Sequence, residues 1–408
     1  MTQTQQTQTA QSPTETAAPA PTHLRAPVPV QTRSGRFTST EVTDFPAVTG
    51  REPMWKYTPV ARIQELTAGE LDGSTYAYDV TGATGFSTLW VGRGDSRIGS
   101  AGKPEDRASA NAWTAFEQAL LVSISADRGA DGSDGDHREI TLARSALGGA
   151  PRAAHTIVEV APGAVATLIL QNTGPAHLTE NVEFVLGKDA DLTVVSLQEW
   201  DDDALHVAAH FAELAEGARL KHVAVTLGGA VVRLNPSVHL GGARSNAELL
   251  GAYFADASQH LEQQVYVFHD GPETRSRVTY KGALQGVGAR AVWIGDVLIG
   301  PKAVGTDTYE QNRNLVLTDG ARADSVPNLE IETGDIVGAG HASATGRFDD
   351  EQLFYLQSRG ITEDEARRLV VRGFLSEIVQ QIGSPALQER LQAKIEDELQ
   401  ATPVGAGR

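Results

Sequence analysis

From Ala119 onward, apolar residues fall in short runs that alternate with polar ones, as in Val223, Val225 and Leu227, and the runs end at Gly, Asp or Asn. A period of two over such lengths predicts strands, beginning with Leu120–Ile124 and Glu139–Leu142. A small turn residue followed by Ala recurs at Gly163-Ala164, Asp189-Ala190, Gly217-Ala218, Gly242-Ala243, Gly288-Ala289 and Gly320-Ala321, with the Ala residues 26, 28, 25, 46 and 32 apart. Taking 46 as two units of 23 gives a period in the mid-twenties, which suits one coil of a solenoid built from two or three short strands. That is too long for a hexapeptide coil. Helical periodicity is scarce in this region, so a doubly wound α/β sheet is disfavoured. The pattern predicts a mainly β chain whose core, over 119–347, is a right-handed parallel β-helix.

The texture changes at Phe348. Asp349 is a candidate cap for a helix carrying Leu353, Phe354 and Leu356 and stopping at Gly360. Thr362 and Glu365 have the spacing of a capping box, and Ala366, Leu369, Val370, Phe374, Ile378 and Ile382 form one apolar stripe that ends at Gly383. Ser384-Pro385 starts a third helix with a thin stripe of Leu387, Leu391, Ile395 and Leu399. Residues 348–408 are therefore expected to form a helical domain. Residues 45–118, where aromatics appear around Trp55-Lys56-Tyr57-Thr58, are expected to form a small, mostly helical N-terminal domain. Ahead of it, 24 of the first 35 residues are Thr, Gln, Pro or Ala. Such a segment has too little apolar surface to order itself, and the tail is expected to be disordered over 1–44.

Composition narrows the chemistry. Asp plus Glu number 52 against 34 Lys plus Arg, a formal charge of -18, so a nucleic acid would meet net repulsion. No run approaches the length of a membrane span, no secretory leader pattern is present, and the cytoplasm is the expected compartment. There are no cysteines in the 408 residues, which excludes disulfides, cysteine nucleophiles and any cluster held by this chain's own sulfur.

The short motifs are weak. Gly286-Val-Gly288-Ala-Arg-Ala291 fits a relaxed dinucleotide fingerprint, but the strand-like Val292-Trp293-Ile294 follows where a helix is required, and a solenoid turn is the better reading. Phosphate-binding Gly-Lys-Ser/Thr loops and Gly-x-Ser-x-Gly elbows are lacking. Arg93-Gly94-Asp95 reads as a solvated turn. His206 and His210 have a four-residue metal-like spacing, yet no Glu follows His206 and the context alternates like a strand, so both are expected to face solvent.

The informative stretch runs from Asn314 to Arg359 and includes Ser325-Val-Pro-Asn-Leu-Glu-Ile-Glu332, Gly340-His341-Ala-Ser-Ala-Thr-Gly346 and Phe348-Asp-Asp-Glu-Gln-Leu-Phe-Tyr-Leu-Gln-Ser-Arg359. It resembles the core signature of the SufB/SufD family of the SUF iron–sulfur cluster assembly machinery. Trp55-Lys-Tyr-Thr58 and Gly228-Gly-Ala-Val-Val-Arg-Leu-Asn235 match as well, so the resemblance spans roughly 53–383. Within that family SufB carries the cysteines, and a cysteine-free chain of this length resembles the SufD branch. The resemblance implies a β-helix between helical end domains, a non-catalytic scaffold paired with SufB, and docking of the SufC ATPase through the C-terminal helices. Phe374, Leu375, Ile378, Leu387 and Leu391 are candidate docking residues, the last two on the stripe expected to be more exposed. The family's Cys-Ser-His motif reads Ala339-Gly340-His341 here, so His341 is the candidate ligand for a transient iron–sulfur cluster shared with SufB, and no cluster should be held stably by this chain alone. Two alternatives are a β-helix enzyme acting on acidic polysaccharide and a homodimeric SufB-like scaffold.

Overall fold

The computed structural model describes residues 36–82, 84–126, 138–145, 147–347 and 350–401. Among these, eighteen strands form two nine-stranded sheets. One sheet contains β4 (Arg138–Arg144), β6 (Val165–Gly174), β8 (Asp191–Trp200), β10 (Arg219–Thr226), β12 (Asn246–Ala255), β14 (Arg275–Leu284), β16 (Thr306–Val316) and β18 (Ile336–Arg347), in that order. The other contains β3 (Gln118–Ile124), β5 (Gly148–Val160), β7 (Ala176–Leu186), β9 (Leu205–Leu214), β11 (Val231–Leu240), β13 (His260–His269), β15 (Arg290–Ile299) and β17 (Arg322–Ile331). All these neighbours are parallel and the chain alternates between the sheets, which is a parallel β-helix of about seven turns with two strands per coil.

In-register pairs such as Arg219 with Asn246 and Asn246 with Arg275 give coils of 27 and 29 residues. The division of 46 into two units of 23 is therefore corrected. Ala243 precedes β12 in one sheet and Ala289 precedes β15 in the other, so the interval is one coil and a half. The same Gly-Ala turn serves both corners, and the sequence does not distinguish them.

Alternate side chains enter the lumen. Leu168, Leu178, Leu192, Leu220, Leu249, Val278 and Trp293 belong to one continuous buried core. The outer faces are covered as well, unlike an antiparallel sheet with one wet face. On one sheet lie α4 (Glu363–Val379) and α5 (Pro385–Ala401), burying Val223, Leu250 and Phe254 against Leu375, Ile378 and Leu391. Thr362 caps α4 by accepting from the Glu365 amide at 3.4 Å, and Gly383, at φ 81°, turns the chain into α5. The cap expected at Asp349 for α3 (Asp350–Ser358) lies outside the described residues.

The other sheet is covered by the N-terminal segment. Residues 45–118 contain two single 3-10 turns, the short α1 (Gln64–Ala68), α2 (Arg107–Ala115), and also β1 (Asp79–Gly82) and β2 (Phe86–Gly92), so strands and extended chain share a stretch expected to be mostly helical. The segment holds itself down by clamps rather than by helical periodicity. Arg233 lies buried on the outer face of β11 with its guanidinium 3.9 Å from the Trp55 ring; it pairs with Asp106 at 2.6 Å and Glu262 at 3.2 Å, and the Thr58 hydroxyl donates to Glu262 at 2.8 Å. The Trp55–Thr58 and Gly228–Asn235 segments thus meet in space. Burial works against the Glu262 charge, yet bonds from His260 and Arg233 hold its carboxyl down at about 2. Packing begins earlier than expected for the tail: Arg36 stacks 3.5 Å over Tyr266 and pairs with Asp296 and Glu105. Residues 1–35 lie outside the described residues.

Candidate functional site

The β-helix buries polar side chains along its lumen. Near its start, Arg144 makes a bidentate pair with Glu180 at 2.7 and 2.8 Å, and Glu180 accepts from His206 at 2.8 Å. Burial opposes both charges, but their mutual attraction dominates, so the Glu180 carboxyl stays well below the usual range. His206 also takes the Trp200 indole N–H on Nδ1 at 3.2 Å. Further along the same strand, His210 faces His222 of β10 at 2.9 Å. The expectation that His206 and His210 face solvent is therefore wrong. They do share a face, as the strand spacing requires, but that face is the lumen, and the odd-numbered neighbours Leu205 and Val207 are buried beneath the N-terminal segment. Each histidine has its own partner, and among the described residues no group of three His, Asp or Glu side chains could hold a metal ion. Burial lowers the pKa of both members of the His210–His222 pair, that of His222 to about 4, so both are neutral.

At the far end the lumen is open. β17 and β18 are the last strands of their sheets. Between β16 and β18 the register places His341 beside Glu310. Both project inward: Glu310 is fully buried, while the His341 side chain is 43% exposed at the mouth. Gly340 lets the last strand close down, because a Cβ there would come within 3.1 Å of the Tyr309 ring. Neither Glu310 oxygen has a hydrogen-bond partner; His341 Nδ1 stands 3.7 Å from Oε1, and Trp293 Nε1 in the same part of the lumen is also without a partner. Burial, with the nearby Asp296 charge, pushes the Glu310 carboxyl up to about 8. An imidazole over an uncompensated carboxyl is a donor pair waiting for a positive charge. The sequence reading singled out His341 as a candidate and did not single out Glu310 beside it. Its signal was available only as a coil spacing, 31 residues before the histidine.

The other candidate residues lie on the helices. Leu375, Ile378, Leu387 and Leu391 are buried against the β-helix, and Phe374 is partly buried with Lys281 4.7 Å from its ring. The expectation that Leu387 and Leu391 are the more exposed stripe is corrected, since a thin stripe fills the seam between α4, α5 and the sheet. The exposed apolar side chains of this region are Phe354, at 72%, and Tyr355 on α3. The dinucleotide-like Gly286–Ala291 segment is a turn with Gly286 and Gly288 at φ 82° and 83°, and it opens β15 rather than a helix.

A parallel β-helix covered by helices on one sheet, with a histidine and a buried carboxyl beside each other on its last coils, defines the class of β-solenoid scaffolds. The family model for the SufBD core domain of the SUF iron–sulfur cluster assembly system matches residues 143–374, from the first full coil into α4. The chain belongs to the SufBD family. It is 47% identical over 381 residues to an iron–sulfur cluster assembly SufBD family protein of Mycobacterium leprae, covering 90% of this chain and 94% of that protein. It is 48% identical over 373 residues to one of Mycobacterium tuberculosis, covering 90% and 93%. A second SufBD family protein of the same M. tuberculosis strain is 29% identical over 201 residues, 49% of this chain and 24% of that longer protein. No helix among the described residues is long and apolar enough to cross a membrane.

Proposed function

We propose that this chain is the cysteine-free, non-catalytic half of a paired cytoplasmic scaffold for iron–sulfur cluster assembly, the role of SufD. The observation that carries this reading is the open end. A solenoid ordinarily caps its terminal coil, because bare strand edges recruit other strands. Here the outer edges of β17 and β18 are unpaired among the described residues, and these two strands expose Ile331 and Val337, the latter at 75%. Joining these edges to those of a cysteine-bearing SufB-type chain would bring thiolates to His341 and complete a labile mixed site for a transient cluster. The presence of two SufBD proteins in one Mycobacterium strain supports a pair of unlike chains. The ATPase partner, SufC in this reading, docks on the C-terminal helices, with Phe354 and Tyr355 offering the apolar surface that Leu387 and Leu391 do not.

The test is co-purification of the full chain with SufB-type and SufC-type partners without oxygen, with iron and acid-labile sulfide measured on the complex. His341→Ala should assemble normally and carry clearly less cluster, while Phe354→Asp should lose the ATPase and keep the paired scaffold. A His341→Ala complex with parental cluster content would remove the ligand role, and failure of the two scaffold chains to associate would remove the pairing.

A further inference from the structure

We infer that Glu310 is the second metal donor of this chain, forming with His341 a two-point site that takes a single divalent first-row transition ion such as ferrous iron. The inference rests on the proposed donor role of His341 and adds to it a residue and a stage, the capture of metal by this chain before any thiolate is present.

Three observations converge. The first is distance. Glu310 Oε1 and His341 Nδ1 stand 3.7 Å apart, beyond a hydrogen bond. Two donors at about 2.0–2.2 Å from one tetrahedral ion stand about 3.4 Å apart, so an ion seats between them with little movement. The second is the lack of any competitor for the carboxylate. Other buried carboxylates here are matched, Glu180 by Arg144 and His206, and Glu262 by Arg233, His260 and Thr58. Glu310 alone among these has two buried oxygens without a hydrogen bond. Such a carboxyl is costly to keep, and a cation entering at the mouth is the charge that would satisfy it.

The third observation is backbone. Gly295 faces this carboxyl across the lumen, and a Cβ there would lie 2.3 Å from Glu310 Oε2 and 2.2 Å from the Trp293 ring. Glycine at that position leaves the room the carboxylate occupies. One carboxylate and one imidazole form a borderline donor set suited to Fe²⁺, Mn²⁺ or Zn²⁺, and two donors hold such an ion only weakly. Among the described residues no third His, Asp or Glu completes the site. The remaining positions are left to water and then to a partner, as befits an ion that is passed on.

The experiment is anaerobic titration of the full chain with Fe²⁺ against a chromophoric chelator, and with Co²⁺, whose visible bands report coordination. The parent should bind about one ion per chain, and Glu310→Gln and His341→Ala should each weaken binding at least tenfold and change the Co²⁺ bands. His239→Ala is the control, because His239 sits beside Glu213 at 2.6 Å and Asp270 at 3.6 Å and is a competing, part-exposed histidine–carboxylate cluster; it should bind as the parent does. Gln is isosteric with a protonated Glu, and circular dichroism would verify the fold. Should that variant not fold, the exposed His341→Ala change with the Co²⁺ spectrum still decides. Parental binding by Glu310→Gln, or loss of the ion in His239→Ala instead, overturns the inference. Cluster loss in the His341→Ala complex alongside unchanged Fe²⁺ binding by Glu310→Gln would leave the scaffold reading standing and this one fallen; weakened Fe²⁺ binding in both variants with no association of the two scaffold chains would leave this one standing and the pairing fallen.

Discussion

The two ends of the β-helix are built on opposite principles. At the first end the chain turns back on itself: β1 runs antiparallel to β4 and β2 antiparallel to β3, so both sheets end in a hairpin-like partner. Tyr76 packs edge-on to Trp90 at 5.1 Å, and the Tyr78 hydroxyl bonds Thr88 at 3.0 Å, plugging the lumen above Arg144. At the last end nothing among the described residues plays that part. β17 is at best half-buried and much of β18 is exposed, and a buried carboxyl waits behind an exposed histidine. Bare edges and an unpartnered buried carboxyl both raise the free energy of the lone chain, and they coincide. The lesson is that stability was spent at one end where joining another surface can recover it.

The comparison breaks most visibly in stability. Tyr76→Ala should cost about 3–5 kcal/mol, the usual loss for a large buried aromatic, read as a shift in the urea midpoint. Val337→Ala at the open end should stay within about 0.5 kcal/mol. Similar costs at both ends would mean that the far end is sealed in solution. Val337→Asp should leave the melting temperature of the lone chain in place while weakening association with the proposed cysteine-bearing partner by about tenfold or more, because a charge in a docked apolar contact must be desolvated.

Acidity and alkalinity should act on different parts. The unfolded chain binds protons at histidines near pH 6.5, whereas folded His222 resists protonation until about 4 and His269, buried likewise, until about 3. Stability should therefore fall as pH drops below about 6.5 and level off near 3 to 4, and His222→Leu should flatten part of that limb. Glu310 has the opposite sign. The unfolded carboxyl ionises near 4.5 while the folded one keeps its proton to about 8, so the folded chain loses stability as pH rises between those values. Glu310→Gln removes this loss, and its advantage should widen with pH to about 1–3 kcal/mol, the cost of an unsatisfied buried group. A constant difference between the two proteins across pH 5–8.5 would show that Glu310 is matched in solution.

Much of the architecture was legible from local signals. Strand alternation, Gly-Ala corners, the Thr362–Glu365 cap and the Gly383 stop are short-range features whose physics acts within a few residues, and the solenoid with its helical end followed from them. The motif around His341 was legible for the same reason. Which side of a strand is wet was not, because period two marks two faces without saying what covers each. His206 and His210 were placed outward on that account, and Leu387 and Leu391 because their helical stripe is thin, yet all four are buried. Glu310 is the sharpest instance. Its neighbours, Trp293 and Gly295 across the lumen and His341 on the next coil, are 15 to 31 residues away, and the charge it lacks is visible only when the coils are stacked. The sequence by itself determined the coil, the caps and the candidate histidine, since these depend on backbone geometry and residue type. Only the tertiary structure decided which polar groups are matched and which end is left open, since burial and electrostatic compensation depend on what the rest of the chain brings alongside.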